Sequence, residues 1–273
     1  MIGATFDYVR TGTAEEALAA LAEHGDEAKL LAGGHSLLPL MKLRLAFPSV
    51  LIDIGPLTDL SFVREDGDDV VVGALTRHRD IETSDLLGQH VPILAHAAGQ
   101  VGDPQVRHRG TIGGSVAHGD PASDLPAVLL ALDARLTARG PNGEREIAAA
   151  DFFSSFLETA LAPDELLTEI RVPKATGAGW SFQKFNRRAQ DWAIVGVAAV
   201  HNGRTGVGLV NMGSTPLRAT AVEAALAGGA SAAEAAEHAA EGTEPPDDLN
   251  GGPEYRAHLA RVLVRRALEE AGA

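Results

Sequence analysis

The chain has 273 residues, 45% of them hydrophobic and 22% charged, with a formal net charge of −14 and no cysteine. The acidic balance excludes non-specific nucleic-acid binding, which needs Lys and Arg against phosphates, while local amides can still hold an anionic cofactor. The lack of cysteine excludes disulfides, thiolate zinc sites, cysteine-ligated iron–sulfur clusters and cysteine nucleophiles.

Thr13-Ala14-Glu15-Glu16 is a capping box ahead of Ala17, Leu18 and Leu21, with Gly25 as a stop, and predicts a helix. Residues 29–31 predict a short strand, and residues 37–45 a helical turn carrying Lys42 and Arg44. Residues 50–54 are continuously apolar and predict a strand buried on both faces. Residues 61–64 and 70–72 flank Glu65-Asp66-Gly67-Asp68-Asp69 as a hairpin. Helices are expected over 92–101 and 124–132, and a second hairpin turns at Pro141-Asn142-Gly143. A strand over 165–172 stops at Pro173, and the breaker-rich residues 174–179 mark a boundary. Three strands then follow, over 181–186, 193–201 and 205–211, the last two joined through Asn202-Gly203. Helices close the chain: one within 220–226, one opening at the capping box Ser231-Ala232-Ala233-Glu234, and one over 255–271 after a polar loop. The pattern predicts an α+β protein with a domain over residues 1–175 and a smaller sheet-and-helix domain over 176–273. The start lacks a signal-peptide pattern, and no apolar run reaches the roughly 18–20 residues of a membrane span. The expected location is therefore cytoplasmic.

Two glycine pairs carry the functional signal: Ala32-Gly33-Gly34-His35-Ser36 and Thr111-Ile112-Gly113-Gly114-Ser115. Each is expected to follow a strand-like stretch, residues 29–31 and 107–109, and to offer backbone amides that no side chain crowds. Two such loops suit a pyrophosphate, so the chain reads as a dinucleotide binder. The order is not that of the Rossmann fingerprint, and no Walker-type phosphate loop occurs. His35 and His118 are either acid–base groups or hydrogen-bonding spacers. His118-Gly119-Asp120 resembles part of a metal triad, but without further ligands a metal is not expected. Arg107 and Arg109 either hold a phosphate or a partner's acidic surface, or form a solvated face.

The run from Asp103 through both glycines to Asp124, the segment Leu37-Leu38-Pro39-Leu40-Met41-Lys42 and the pattern Lys184…Arg187-Arg188-x-x-Asp191 together resemble the FAD-binding medium subunit of the molybdenum hydroxylases, the family of xanthine dehydrogenase and aerobic carbon monoxide dehydrogenase. The resemblance runs essentially end to end. It implies a PCMH/vanillyl-alcohol-oxidase-type fold with non-covalent FAD between two α+β subdomains. Ala32, Gly33, Gly34, His35, Ser36 and Thr111, Ile112, Gly113, Gly114, Ser115 would cradle the pyrophosphate. Asp124 would accept from a ribose or ribityl hydroxyl, Leu167 would offer backbone contacts, Lys184 would sit by the flavin, and Val101 would pack on the cofactor. Trp192 falls where relatives carry an aromatic near the flavin, as a gate or as core. The implied partners are a molybdopterin-containing large subunit and a [2Fe–2S] small subunit, with NAD or another acceptor taking the electrons. The alternative is a stand-alone flavoenzyme of the same descent.

Overall fold

The computed structural model describes residues 4–273. The chain opens with a three-stranded parallel sheet of order β1-β3-β2, built from β1 (Asp7–Arg10), α1 (Ala14–His24), β2 (Ala28–Leu31), α2 (Leu37–Lys42) and β3 (Val50–Asp53). Thr13 caps α1 by accepting the Glu16 amide at 3.1 Å. Glu16 answers by accepting from Gly12, one residue before the box position, at 2.7 Å. Ala14, Ala17 and Leu21 of α1 are buried in one cluster with Val50 and Ile52 of β3. The carboxyl end of β2 runs straight into the first glycine pair, the place where parallel sheets hold ligands. β1 has no counterpart in the sequence reading.

A five-stranded antiparallel sheet of order β4-β5-β10-β6-β7 follows. Its first strands are β4 (Val63–Asp66) and β5 (Asp69–Gly73). A run of helices comes next: α3 (His78–Glu82), α4 (Asp85–His90), α5 (Pro92–Gly99), α6 (Pro104–Arg109), α7 (Ile112–His118) and α8 (Asp124–Ala131). Then come β6 (Arg135–Gly140), β7 (Gly143–Ala148), α9 (Ala149–Phe152), the small pair β8 (Phe153–Ser155) and β9 (Glu158–Thr159), and β10 (Leu166–Pro173). Val70, Val72, Ile170 and Val172 from the sheet share the largest core with Ile93 and Leu94 of α5 and with Val128 and Leu129 of α8.

Two expectations fail here. Residues 107–109 are not strand but the end of α6, which Asp103 caps by accepting the Val106 amide at 2.9 Å, with Pro104 in the first turn. The second glycine pair is not a loop. It forms the first turn of α7, with Thr111 as N-cap.

The C-terminal sheet has order β11-β12-β13-β14: β11 (Gly179–Phe185), β12 (Val195–His201), β13 (Thr205–Val210) and β14 (Leu217–Arg218). It is followed by α10 (Thr220–Ala227), α11 (Ala232–Ala236) and α12 (Pro253–Ala271). Alternation along β12 and β13 sends Val195, Val197, Ala199, Val207 and Leu209 into a core with Leu263, Val264 and Ala267 of α12. The other face lies on α8. A β-carbon on Gly206 or Gly208 would stand 2.0 Å from the carbonyl oxygens of Ala131 and Ala127 respectively. Glycine there lets a strand approach a helix backbone directly, and the contact locks the C-terminal sheet to the helix that begins at Asp124.

Candidate functional site

The two glycine motifs touch. A β-carbon on Gly33 would stand 2.3 Å from the carbonyl oxygen of Arg109 and 2.9 Å from Cα of Gly110. One built on Gly114 would come within 4.0 Å of the Ala32 side chain. Beneath them Arg77 pairs with Thr111 and the His78 amide donates to Gly110 at 3.0 Å.

Accounting for the backbone donors separates the motifs. Ile112 N–H donates to Thr76 O at 3.1 Å, Gly113 to Ala74 O at 2.8 Å, Ser115 to Thr111 O at 3.0 Å and Gly114 to the Thr111 hydroxyl at 3.1 Å. Four of the five amides of the second motif are thus spent inside the protein. In the first motif the amides of Gly33, Gly34, His35 and Ser36 have no acceptor among the described residues. Gly34 there has φ +78°, the left-handed conformation that turns successive N–H groups toward one point. The concave donor set belongs to the first motif, and the second supplies its floor.

Asp124 and Lys184 form the other part. Asp124 opens α8, and Lys184 lies opposite Gly196 on β11. Both side chains are buried, at 6% and 4% exposure. Lys184 Nζ donates to Asp124 Oδ2 at 2.6 Å and to the Gln100 carbonyl at 3.0 Å. Asp124 Oδ1 is buried with no donor among the described residues. Burial pushes the Asp124 carboxyl up to about 6, against the pull of the Lys184 ammonium. The pair is therefore ionised at neutral pH, and one carboxylate oxygen faces inward unsatisfied. Leaving such an acceptor unpaired costs about 1–3 kcal/mol, which a ligand hydroxyl would recover.

Leu167 is buried on β10, just before an irregularity between Leu167 and Glu169. The Thr168 carbonyl accepts from Ala74, whose own carbonyl accepts from Gly113, so this strand reaches the second motif through two hydrogen bonds. Val101 is half-buried beside the main core. Its carbonyl accepts from Arg107 at 3.2 Å, and Arg107 also meets Glu82 at 3.0 Å. Arg107 is thus an internal strut for the Val101-Gly102 turn, where sequence reading weighed a phosphate holder or a solvated face. Arg109 is exposed, and its carbonyl accepts from the Arg77 guanidinium. His35 is exposed, and His118, at the end of α7, has its pKa lowered by burial against Asp120. Trp192 is exposed at 58%, so it is not core. Among the described residues no group of three or more His, Cys, Asp or Glu side chains could hold a metal.

Sequence reading missed His78. It is buried at 4% exposure, with Nδ1 unpartnered among the described residues, and its ring lies against Gly110. Burial, with His35, Arg107 and Arg77 nearby, depresses its pKa to about 4. A histidine in an Arg-rich stretch gives no sequence signal for such a setting.

Residues 4–175 match the model for the FAD binding domain in molybdopterin dehydrogenase, and residues 180–271 match the CO dehydrogenase flavoprotein C-terminal domain. The chain is an FAD-binding medium subunit of the molybdenum hydroxylase family. The carbon monoxide dehydrogenase medium chain of Hydrogenophaga pseudoflava is 43% identical, over 100% of this chain and 99% of the relative. The 6-hydroxypseudooxynicotine dehydrogenase complex subunit alpha of Paenarthrobacter nicotinovorans is 40% identical, over 98% and 94%. The solved carbon monoxide dehydrogenase of H. pseudoflava superposes with a TM-score of 0.96 at 44% identity, covering 100% of this chain and 99% of that one. This medium subunit is the flavoprotein component of an oxidoreductase of the carbon monoxide and xanthine dehydrogenase type, and FAD is its cofactor. Its own groups fit that cofactor: unpaired amides suit a pyrophosphate, and a buried carboxylate oxygen without a donor suits a sugar-like hydroxyl.

Proposed function

We propose that this medium subunit receives electrons from the iron–sulfur clusters of a partner subunit and passes them through FAD to NAD or another acceptor. In this reading a molybdopterin-containing large subunit oxidises the substrate and a [2Fe–2S] small subunit relays the electrons. The chain has no cysteine to hold a cluster, which supports that division of labour. A flavin supplies the exchange between one-electron donors and two-electron acceptors. The chain's residues bind and orient it.

The observation that carries the reading is the buried Asp124–Lys184 pair with its unsatisfied Oδ1, next in the fold to a set of unpaired amides. The amides of residues 33–36 take the pyrophosphate, with Ala32 beside them and Thr111, Ile112, Gly113, Gly114 and Ser115 fixing the cradle from behind. Asp124 Oδ1 accepts from a ribose or ribityl hydroxyl. Lys184 keeps a positive charge buried near the ring, where reduction places negative charge. Val101 and Leu167 pack on the cofactor, and Trp192 gates access to the ring. The domains divide at residues 175 and 176. No described helix is long and apolar enough to cross a membrane, and a cytoplasmic location belongs to the same reading.

The test is an absorption spectrum of the purified chain followed by anaerobic titration with NADH. A flavin spectrum bleached by NADH supports exchange with nicotinamide. A flavin spectrum indifferent to NADH moves the acceptor to another class. Absence of flavin after added FAD overturns the binding site.

A further inference from the structure

Of the twelve exposed large apolar side chains among the described residues, six come from residues 6–47: Phe6, Tyr8, Leu38, Leu43, Leu45 and Phe47. Leu43, Leu45 and Phe47 are the most exposed of these, at 61, 69 and 64%. They do not sit on a loose loop. Beyond α2 the chain folds back on the helix: Leu43 N–H donates to Pro39 O at 2.9 Å, Arg44 to Met41 O at 3.1 Å and Leu45 to Leu40 O at 2.8 Å. Arg44 takes φ +60°, an uncommon conformation for a residue with a β-carbon, and Met41 anchors the turn from inside. The Asp7 amide donates to Ser49 O at 2.8 Å, which brings β1, with Phe6 and Tyr8, alongside the same segment. A fixed backbone thus holds a group of large apolar side chains in water, the pattern of a protein interface.

Lys42 and Arg44 are exposed within this face, and neither has a carboxylate within salt-bridge distance among the described residues. Two unpaired cations among leucines stand out on a chain of net charge −14. The charge also selects the occupant. In a symmetric pair of identical chains the same patch faces itself, so Lys42 and Arg44 would be desolvated against like charges. A different protein with an apolar hollow rimmed by carboxylates satisfies both features. α2 starts at Ser36, the last residue of the amide set, so whatever covers it stands beside the cofactor site.

We infer that the face formed by Leu38, Leu43, Leu45 and Phe47, rimmed by Lys42 and Arg44 and flanked by Phe6 and Tyr8, docks the electron-donating iron–sulfur subunit. This rests on the electron-transfer reading above, since a donor must be seated close to the flavin.

The experiment co-expresses the full chain with the molybdenum and iron–sulfur subunits of its complex. A photo-crosslinking amino acid at position 43 is expected to label the iron–sulfur subunit in the assembled wild-type background. The double variant Leu45→Asp/Phe47→Asp and the charge reversal Lys42→Glu/Arg44→Glu are expected to keep their FAD and to bind the iron–sulfur subunit at least tenfold more weakly. Wild-type assembly is expected to weaken with added salt. Normal assembly of both variants, or labelling of another subunit only, overturns the docking face and leaves the subunit reading intact. A wild-type chain that dimerises alone through position 43 overturns it in favour of a second copy. A wild-type chain that holds FAD and assembles with nothing overturns the subunit reading itself.

Discussion

Gly33 lies against the carbonyl of Arg109 so closely that a β-carbon would stand 2.3 Å from that oxygen. The first glycine of the first motif is therefore required by the contact between motifs, whatever is bound. Gly113 is similar: its β-carbon would meet Ala74 O at 2.5 Å. Gly114 differs, because its nearest obstacle is the Thr111 hydroxyl, a side chain that can rotate, at 2.7 Å. Gly33→Ala and Gly113→Ala should each lower the stability of the FAD-free chain by roughly 2–4 kcal/mol, the cost of forcing backbone apart. Gly114→Ala should cost about 1 kcal/mol, the worth of the Thr111 cap it disturbs. Urea unfolding of the three variants checks the order. Equal losses would mean that these contacts do not set the need for glycine.

The sequence made the hairpins and most helices readable because their signals are local: a capping box at Ser231, a Pro-Asn-Gly turn before Arg145, an Asn-Gly turn after His201. β1 escaped because its partner, β3, is remote in sequence, and an edge strand of four residues carries little pattern. α6 escaped although Asp103 and Pro104 are a helix-start signal, since the basic run after them shows no apolar periodicity. The glycine motifs were visible, but their different use of amides was not. That difference depends on Ala74 and Thr76, which lie far back in the chain and accept from the second motif. Asp124 and Lys184 were placed at the site by family resemblance. Their contact spans sixty positions of sequence, and no local spacing announces it. Arg107 could be read as a cation but not as a strut, because Glu82 and the Val101 carbonyl reach it only in the fold.

The Asp124 carboxyl gives the first pH prediction. Its pKa is raised from 3.8 to about 6 in the fold. Between those values the folded chain holds a proton that the unfolded chain has lost, so stability from this group falls as pH rises. Wild type compared with Asp124→Asn should lose on the order of 3 kcal/mol between pH 4 and pH 7, about 1.4 kcal/mol per unit of displacement. Chemical denaturation of both FAD-free proteins at the two pH values measures it. A constant difference between them would show that Asp124 is not desolvated.

His78 has the opposite sign. Burial lowers its pKa from 6.5 to about 4, so in that window the unfolded chain takes up a proton that the folded chain refuses. Its contribution is present above pH 6.5 and is lost as pH falls toward 4. Relative to His78→Gln, wild type should lose about 3 kcal/mol on acidification across this range. The two groups therefore offset each other near pH 5, and removing either one exposes the other. A His78→Gln chain that is no more acid-resistant than wild type would refute the buried neutral imidazole.

Arg256 tests how the Trp192 segment is held. Its guanidinium is wholly buried and donates to Gly251 O at 3.0 Å, to Ile194 O and to Asp248 Oδ1 at 2.7 Å. The neighbouring Ala193 carbonyl accepts from Asn211 at 2.8 Å, so both carbonyls that follow Trp192 are clamped. Removing the guanidinium leaves two carbonyls without their donor and frees one end of the loop that carries Asp248. Arg256→Met should therefore cost about 3 kcal/mol, at the low end for a broken buried pair. The low end applies because Asp248 is 43% exposed and water can take the place of its partner. Asp248→Asn keeps the carbonyl bonds and should cost about 1 kcal/mol. Trp192 should gain mobility in Arg256→Met and keep its wild-type behaviour in Asp248→Asn. Time-resolved fluorescence anisotropy reports this, in a Trp180→Phe background that removes the only other tryptophan. If Trp192 moves no more freely in Arg256→Met, then Asn211 alone positions the segment and the arginine serves only the 241–252 loop.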